Sequence, residues 1–185
     1  MSLMPEFDFS PLHGLILVLP LLFARIVMLR VLRRDALQRA DFTPPAEEGK
    51  GWAIPLYVLC EGLLLVYPFF LTIKSGGWLA LGLPLMLAGL IVVALSAWEF
   101  ARSDRSEPLT GGIYRYSRNP MYVGFLLYYA GVGLMTASWL YIVIAFVYQF
   151  ALYWLIRGEE RWCLAEYGEP YRQYAAQVRR YVGRR

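Results

Sequence analysis

The stretch Gly111 to Gly124, reading GGIYRYSRNPMYVG, carries the densest set of groups able to hold a charged ligand. Arg115, Arg118 and Asn119 stand immediately before Pro120. Proline fits the first turn of a helix and pushes the residue before it out of helical geometry. The pattern predicts a loop that ends at Asn119 and a helix that starts at Pro120. Such a helix start offers unpaired backbone N–H groups and the positive end of the helix dipole. An anion or a carboxylate-bearing ligand is well received there. Farther along, Glu159 and Glu160 form an adjacent carboxylate pair. Taken alone, two such residues read as a solvated face. Beside arginines and tyrosines they can hold an ammonium group while an arginine holds a carboxylate. A ligand built like an amino acid needs both. Tyr114, Tyr122, Tyr171 and Tyr174 supply aromatic walls in the same two regions.

The elements that must position these groups are apolar. Hydrophobic residues make up 58% of the chain and charged residues 17%, and the mean hydropathy is +0.44. That balance excludes an ordinary soluble domain and points to an all-α integral membrane protein. Five membrane-length segments are expected, at residues 12–32, 52–72, 78–98, 121–137 and 138–156 of a single domain. The second and third, joined by Lys74-Ser75-Gly76-Gly77, read as a hairpin. The fourth and fifth, joined by almost nothing, read as a close antiparallel pair. Arg25 and Glu61 fall inside the first and second segments. A charge there faces protein or water, or snorkels, because it is costly in lipid. His13, the single histidine, reads as an interfacial polar residue.

Charge sets the expected orientation. Arg30, Arg33, Arg34, Arg39 and Lys50 flank or fill the first polar loop, and Arg102, Arg105, Arg115 and Arg118 lie in the second. The segment after Ile156 holds seven more arginines, from Arg157 to Arg185, while the opposite side has only Lys74. The positive-inside rule then puts the N-terminus outside and both long loops and the tail in the cytoplasm, as in a bacterial or archaeal inner membrane. The net charge of +4 is spread between apolar runs, which suits this pattern and not a nucleic-acid-binding face. Cys60 and Cys163 are far apart, with no CxxC and no histidine nearby, so neither a metal site nor a disulfide framework is expected. Met1 to Leu12 lacks Lys and Arg and does not read as a signal peptide.

Residues 157–185 are polar but patterned. Leu164, Tyr167, Tyr171, Tyr174 and Val178 recur at spacings of three and four, with a break expected at Gly168-Glu169-Pro170. This is either an amphipathic helix on the membrane surface or a helical lid over the Gly112–Asn119 loop.

The motif Gly112-x-Tyr114-x-x-x-Arg118-Asn119-Pro120-x-Tyr122-x-Gly124, preceded by Leu109-Thr110-Gly111, resembles the signature of the isoprenylcysteine carboxyl methyltransferases and their relatives among phospholipid methyltransferases. Its second half is Glu159-Glu160-x-x-x-Leu164-x-x-x-Gly168-x-x-Tyr171-x-x-Tyr174. The likeness covers roughly Leu109 to Arg180. The eukaryotic carboxyl methyltransferases typically have histidine where this chain has Asn119. The Arg-Asn-Pro form resembles bacterial membrane homologues and points away from a prenylcysteine substrate. The resemblance implies S-adenosylmethionine as cofactor, in a cytoplasmic pocket covered by the C-terminal helical segment, with a lipophilic or small acceptor reaching it from the bilayer. It implies that Glu159 or Glu160 holds the cofactor's amino group. Arg118 and Asn119 hold its carboxylate or orient the acceptor, as the catalytic pair. Tyr114, Tyr122 and Tyr171 wall the adenosine around Pro120.

A sulfonium methyl is already activated, so transfer to a carboxylate, thiol or amine needs positioning more than acid–base help. The alternatives are a membrane reductase related to sterol reductases and a non-catalytic membrane scaffold. Tight binding of S-adenosylmethionine separates the first reading from both.

Overall fold

The computed structural model describes residues 5–9, 11–27, 30, 50–104 and 106–185. Arg33, Arg34, Arg39 and Arg105, which contribute to the charge argument, lie outside the described residues, as does the Pro44-Pro45 pair. Among the described residues the secondary structure is helical, with two isolated β-bridges.

Six α-helices are seen among the described residues: α1 (Pro11–Leu22), α2 (Ala53–Val66), α3 (Gly77–Arg102), α4 (Pro120–Met135), α5 (Trp139–Tyr167) and α6 (Glu169–Gln177). A π turn (Phe23–Val27) extends α1, and 3-10 turns cover Tyr67–Phe70 and Gly112–Arg115. Three segments among the described residues are long and apolar enough to cross a membrane: Ala53–Phe70, Gly77–Arg102 and Trp139–Tyr167. The chain is an integral membrane protein. Pro11–Ile26 and Pro120–Met135 are apolar but shorter. With 16 residues, α4 is about 24 Å long at the usual helical rise.

The helices pair in a way the order of segments does not foretell. The expected hairpin of the second and third segments is not the main packing unit. Instead α3 lies along α4, and α2 lies along α5. The first pair meets through glycines seven residues apart on each helix, Gly82 and Gly89 against Gly131 and Gly124. A methyl group at Gly89 would come within 2.7 Å of the Gly124 carbonyl oxygen, and one at Gly82 within 2.6 Å of that of Gly131. Small residues let the two backbones close in, which is how membrane helices gain contact where lipid is as apolar as leucine.

The second pair meets through aromatic rings. Tyr57 stacks on Tyr148 at 5.3 Å, Trp52 on Phe150 at 5.8 Å, and Tyr67 approaches Tyr141 at 6.1 Å. Tyr129 of α4 turns its edge to Tyr148 at 5.6 Å, which joins the two pairs into one core. Buried tyrosines keep their hydroxyls satisfied where they can. Tyr128 donates to the Leu17 carbonyl at 3.0 Å and Tyr141 to that of Leu64 at 2.9 Å. The expected close pairing of the last two long segments is present. Ser138 caps α5 by accepting from the Tyr141 N–H, and the Ser138 N–H returns to the Gly133 carbonyl at 2.9 Å.

These contacts separate the molecule into two ends. Phe7 bridges Leu71, the Lys74 N–H donates to the Met135 carbonyl at 2.8 Å, and Lys74 pairs with Glu6 at one end. The start of α4, the second half of α5 and α6 gather at the other.

Candidate functional site

The backbone at Asn119 is non-helical, with φ −135° and ψ 56°, and α4 begins at Pro120. The loop-to-helix change therefore falls where the proline places it. α5 does not stop near Ile156 but runs unbroken to Tyr167. Glu159 and Glu160 consequently project from a continuous helix that packs against α4. The break expected after Tyr167 is present: Gly168 sits at φ +59°, where a side chain would be strained, and α6 follows.

Glu160 is the hub. One carboxylate oxygen accepts from the Asn119 Nδ2 at 3.1 Å and lies 3.3 Å from the Arg118 guanidinium. The other accepts from Arg180 through Nε at 3.0 Å and Nη2 at 2.8 Å. Two guanidinium groups and one carboxylate leave this cluster with a positive excess. It sits at the start of α4, where the helix dipole adds to it.

Glu159 is arranged differently. It accepts from the Tyr122 hydroxyl at 2.6 Å, and among the described residues it pairs with no cation. The two adjacent carboxylates thus divide: one is engaged by two arginines, the other is held only by a phenol.

The C-terminal segment packs on the loop before α4. The Tyr174 hydroxyl donates to the Tyr114 carbonyl at 2.7 Å. The Arg118 N–H donates to the Arg179 carbonyl at 3.1 Å, and the Gly183 N–H to that of Tyr116 at 2.7 Å. A turn closed by the Val178–Arg184 bridge, with Gly183 at φ +103°, aims the Arg180 carbonyl inward. There it accepts from Asn119 at 3.2 Å and from Ser117 at 3.4 Å. Tyr171, Tyr174 and Val178 are buried, whereas Leu164 of the same expected stripe is exposed. Burial pushes the Tyr171 and Tyr174 hydroxyls well above the ordinary tyrosine range, with Arg118 opposing the shift at both.

Of the residues singled out by sequence, Arg118, Asn119, Pro120, Glu160 and the Tyr114 backbone come together with the tail. Tyr122 and Glu159 form a second pair beside them. Tyr171 is buried against Tyr174, ring centroids 5.9 Å apart. Arg115 is exposed. Arg180 and Ser117 are participants that motif reading passes over. Arg180 lies beyond the end of α6, where no periodicity marks it.

A model of the phospholipid methyltransferase family matches residues 77–170, just over half of the chain. These residues run from the first turn of α3 to the start of α6. The chain belongs to the phospholipid methyltransferase family. No curated protein and no solved structure matches it. The matched region contains Arg118, Asn119, Glu159 and Glu160 but stops before Tyr171, Tyr174 and Arg180. In this phospholipid methyltransferase family member the tail contacts of the site therefore lie beyond the matched region, and α1 and α2 lie before it.

The cluster fits an amino-acid-like cofactor on two counts. The Arg118 Nε is buried and meets no acceptor among the described residues. A buried donor left unpaired is costly, and a carboxylate would satisfy it. Glu159 offers an ionisable oxygen pair with no competing cation, as an ammonium group requires.

Proposed function

We propose that this chain transfers a methyl group from S-adenosylmethionine to a lipophilic or small acceptor, a carboxylate, thiol or amine, at the cytoplasmic face of the membrane. The observation that carries the reading is the unequal engagement of Glu159 and Glu160 beside the partnerless Arg118 Nε. Arg118 would hold the cofactor's carboxylate, with Asn119 kept in place by Glu160 and the Arg180 carbonyl. Glu159 would hold its ammonium group, steadied by Tyr122. Tyr114 and Tyr171 would contribute the wall around the adenosine, and α6 the cover. When bound, the cofactor supplies a sulfonium methyl that needs no further activation. The protein's share is to orient the acceptor and to exclude water from the cleft between α4, α5 and the tail.

Five membrane crossings, with the N-terminus outside and residues 157–185 in the cytoplasm, belong to the same reading. They bring the site to the face where S-adenosylmethionine is made. Family membership favours this activity over a reductase or a scaffold. Calorimetry with S-adenosylhomocysteine on the detergent-solubilised protein tests it. Saturable binding that is lost in Arg118→Ala is expected, and absence of binding to the unaltered protein would rule the reading out.

A further inference from the structure

Arg25 and Glu61 form an ion pair between the π turn after α1 and the middle of α2. A second donor of Arg25, Nη2, reaches the Tyr57 hydroxyl at 3.3 Å. The guanidinium also lies over the Phe125 ring, 5.4 Å from its centroid. Phe125 in turn meets Tyr122 edge-on at 6.1 Å, and Tyr122 is the residue that donates to Glu159. One aromatic residue therefore separates this pair from the candidate methyl-transfer site.

The pair is not sealed. The Arg25 side chain is 25% exposed and that of Glu61 19% exposed, although Glu61 lies on a membrane-length stretch and Arg25 on a shorter apolar one. Open lipid is the costliest surroundings for such charges. A partly open pair at this depth fits a polar recess within the bundle. The neighbouring groups are unfinished as well. Tyr148 is 1% exposed, stacks on Tyr57, and is within electrostatic reach of Arg25, Tyr57 and Glu61, yet its hydroxyl has no partner among the described residues. The next residue, Gln149, donates to the Tyr122 carbonyl at 3.4 Å but leaves its buried side-chain oxygen without a donor among the described residues. Buried polar atoms in a native protein are nearly all paired, so the orphaned Tyr148 hydroxyl, within reach of a partly open ion pair, asks for a ligand.

We propose that Glu61, Arg25, Tyr57 and Tyr148 form a binding site for the polar head of a lipophilic molecule. The head is a hydrogen-bond donor, an amine or a hydroxyl, because the Glu61 carboxylate and the unpaired Tyr148 hydroxyl can both accept. The apolar tail lies toward the bilayer beside α1 and α2. Placed next to Tyr122, this site would select the methyl acceptor. That role rests on the methyltransferase reading, whereas binding itself does not. Three of the four site residues, Arg25, Tyr57 and Glu61, then lie before the matched region, and Tyr148 lies within it.

Calorimetry with octylamine, octanol and octanoate on the maltoside-solubilised protein tests the site. Octylamine and octanol should bind saturably, and octanoate at least tenfold more weakly. Tyr148→Phe removes a hydroxyl that no group among the described residues uses, so the fold should be left intact, and both affinities should fall about tenfold. Glu61→Gln should weaken octylamine more than octanol if the natural head is an ammonium, and both alike if it is a hydroxyl. S-adenosylhomocysteine affinity of Tyr148→Phe should stay within twofold of the unaltered protein. Absence of saturable octylamine and octanol binding, or binding that Tyr148→Phe leaves unchanged, overturns the site. Failure of S-adenosylhomocysteine to bind the unaltered protein would sink the methyltransferase reading while leaving the octylamine result to stand by itself.

Discussion

The Glu160 carboxylate lies 3.3 Å from the Arg118 guanidinium while its other oxygen holds Arg180 at 2.8 Å. One side chain of α5 thereby ties the start of α4 to the tail. Glu160→Gln keeps the shape but removes the charge that both arginines answer. Arg118 is only 11% exposed, so it would be left buried and uncompensated. A loss of about 1–3 kcal/mol in stability is expected. It should show as a lower unfolding temperature in detergent and as faster hydrogen exchange across residues 169–185. Unchanged exchange there would mean that the hub does not hold the tail.

Glu159→Gln should behave in the opposite way. Glu159 anchors nothing but the Tyr122 hydroxyl, so the unfolding temperature should hardly move. Affinity for S-adenosylhomocysteine should fall by about 1–3 kcal/mol, the scale of one charge-assisted contact. Full affinity in this variant would leave Glu159 as a partner of Tyr122 with no part in holding the cofactor.

The α3–α4 contact has no room for side chains at its glycines. Gly89→Leu should destabilise the protein by more than about 2 kcal/mol, because the backbones must part. Gly62 of α2, beside which a methyl group would meet nothing within 4 Å, is the control. Gly62→Ala should be neutral or slightly stabilising, since alanine favours helix. Thermal unfolding of the two variants side by side decides whether close approach, and not glycine as such, matters.

The tail contact carries a pH dependence with a definite sign. Burial raises Tyr171 and Tyr174 above the ordinary tyrosine value of 10.0. A group whose folded value is raised adds stability that is fully present below its unfolded value and is lost as pH rises through the folded one. Docking of α6 should therefore be intact at neutral pH and weaken above about pH 10, where the undocked tyrosines ionise while the docked Tyr174 must keep the proton it donates to Tyr114. Tyr174→Phe should cost about 1 kcal/mol and flatten part of that alkaline decline. Exchange in residues 169–185 measured from pH 8 to 11 by quenched labelling, corrected for the intrinsic rate, reads both effects.

Removing residues 169–185 should abolish S-adenosylhomocysteine binding and leave the long helices inserted. The deletion takes away Tyr171, Tyr174 and Arg180 together, along with the backbone groups that meet Arg118 and Tyr116. Protease protection in membranes checks insertion, and calorimetry checks binding. A shortened protein with full affinity would make the tail a surface anchor alone.

The amino-acid sequence by itself determined the helical membrane class, the start of α4 at Pro120 and the break at Gly168. These are local matters: apolar content, the ring of a proline, and the freedom of a glycine at φ +59°. The motif residues also marked the region where Arg118, Asn119 and Glu160 meet. Tertiary structure alone decided that α2 lies on α5 and α3 on α4, because a membrane helix is apolar on every face and its periodicity does not say which face meets protein. It decided that Glu160 and not Glu159 takes the arginines, since neighbours on a helix point about 100° apart and only the partner helix chooses between them. It brought Arg180 into the site from beyond the last helix. It also joined Arg25 to Glu61, two charges that the sequence shows only as costly, because the π turn and α2 present them to each other across the bundle.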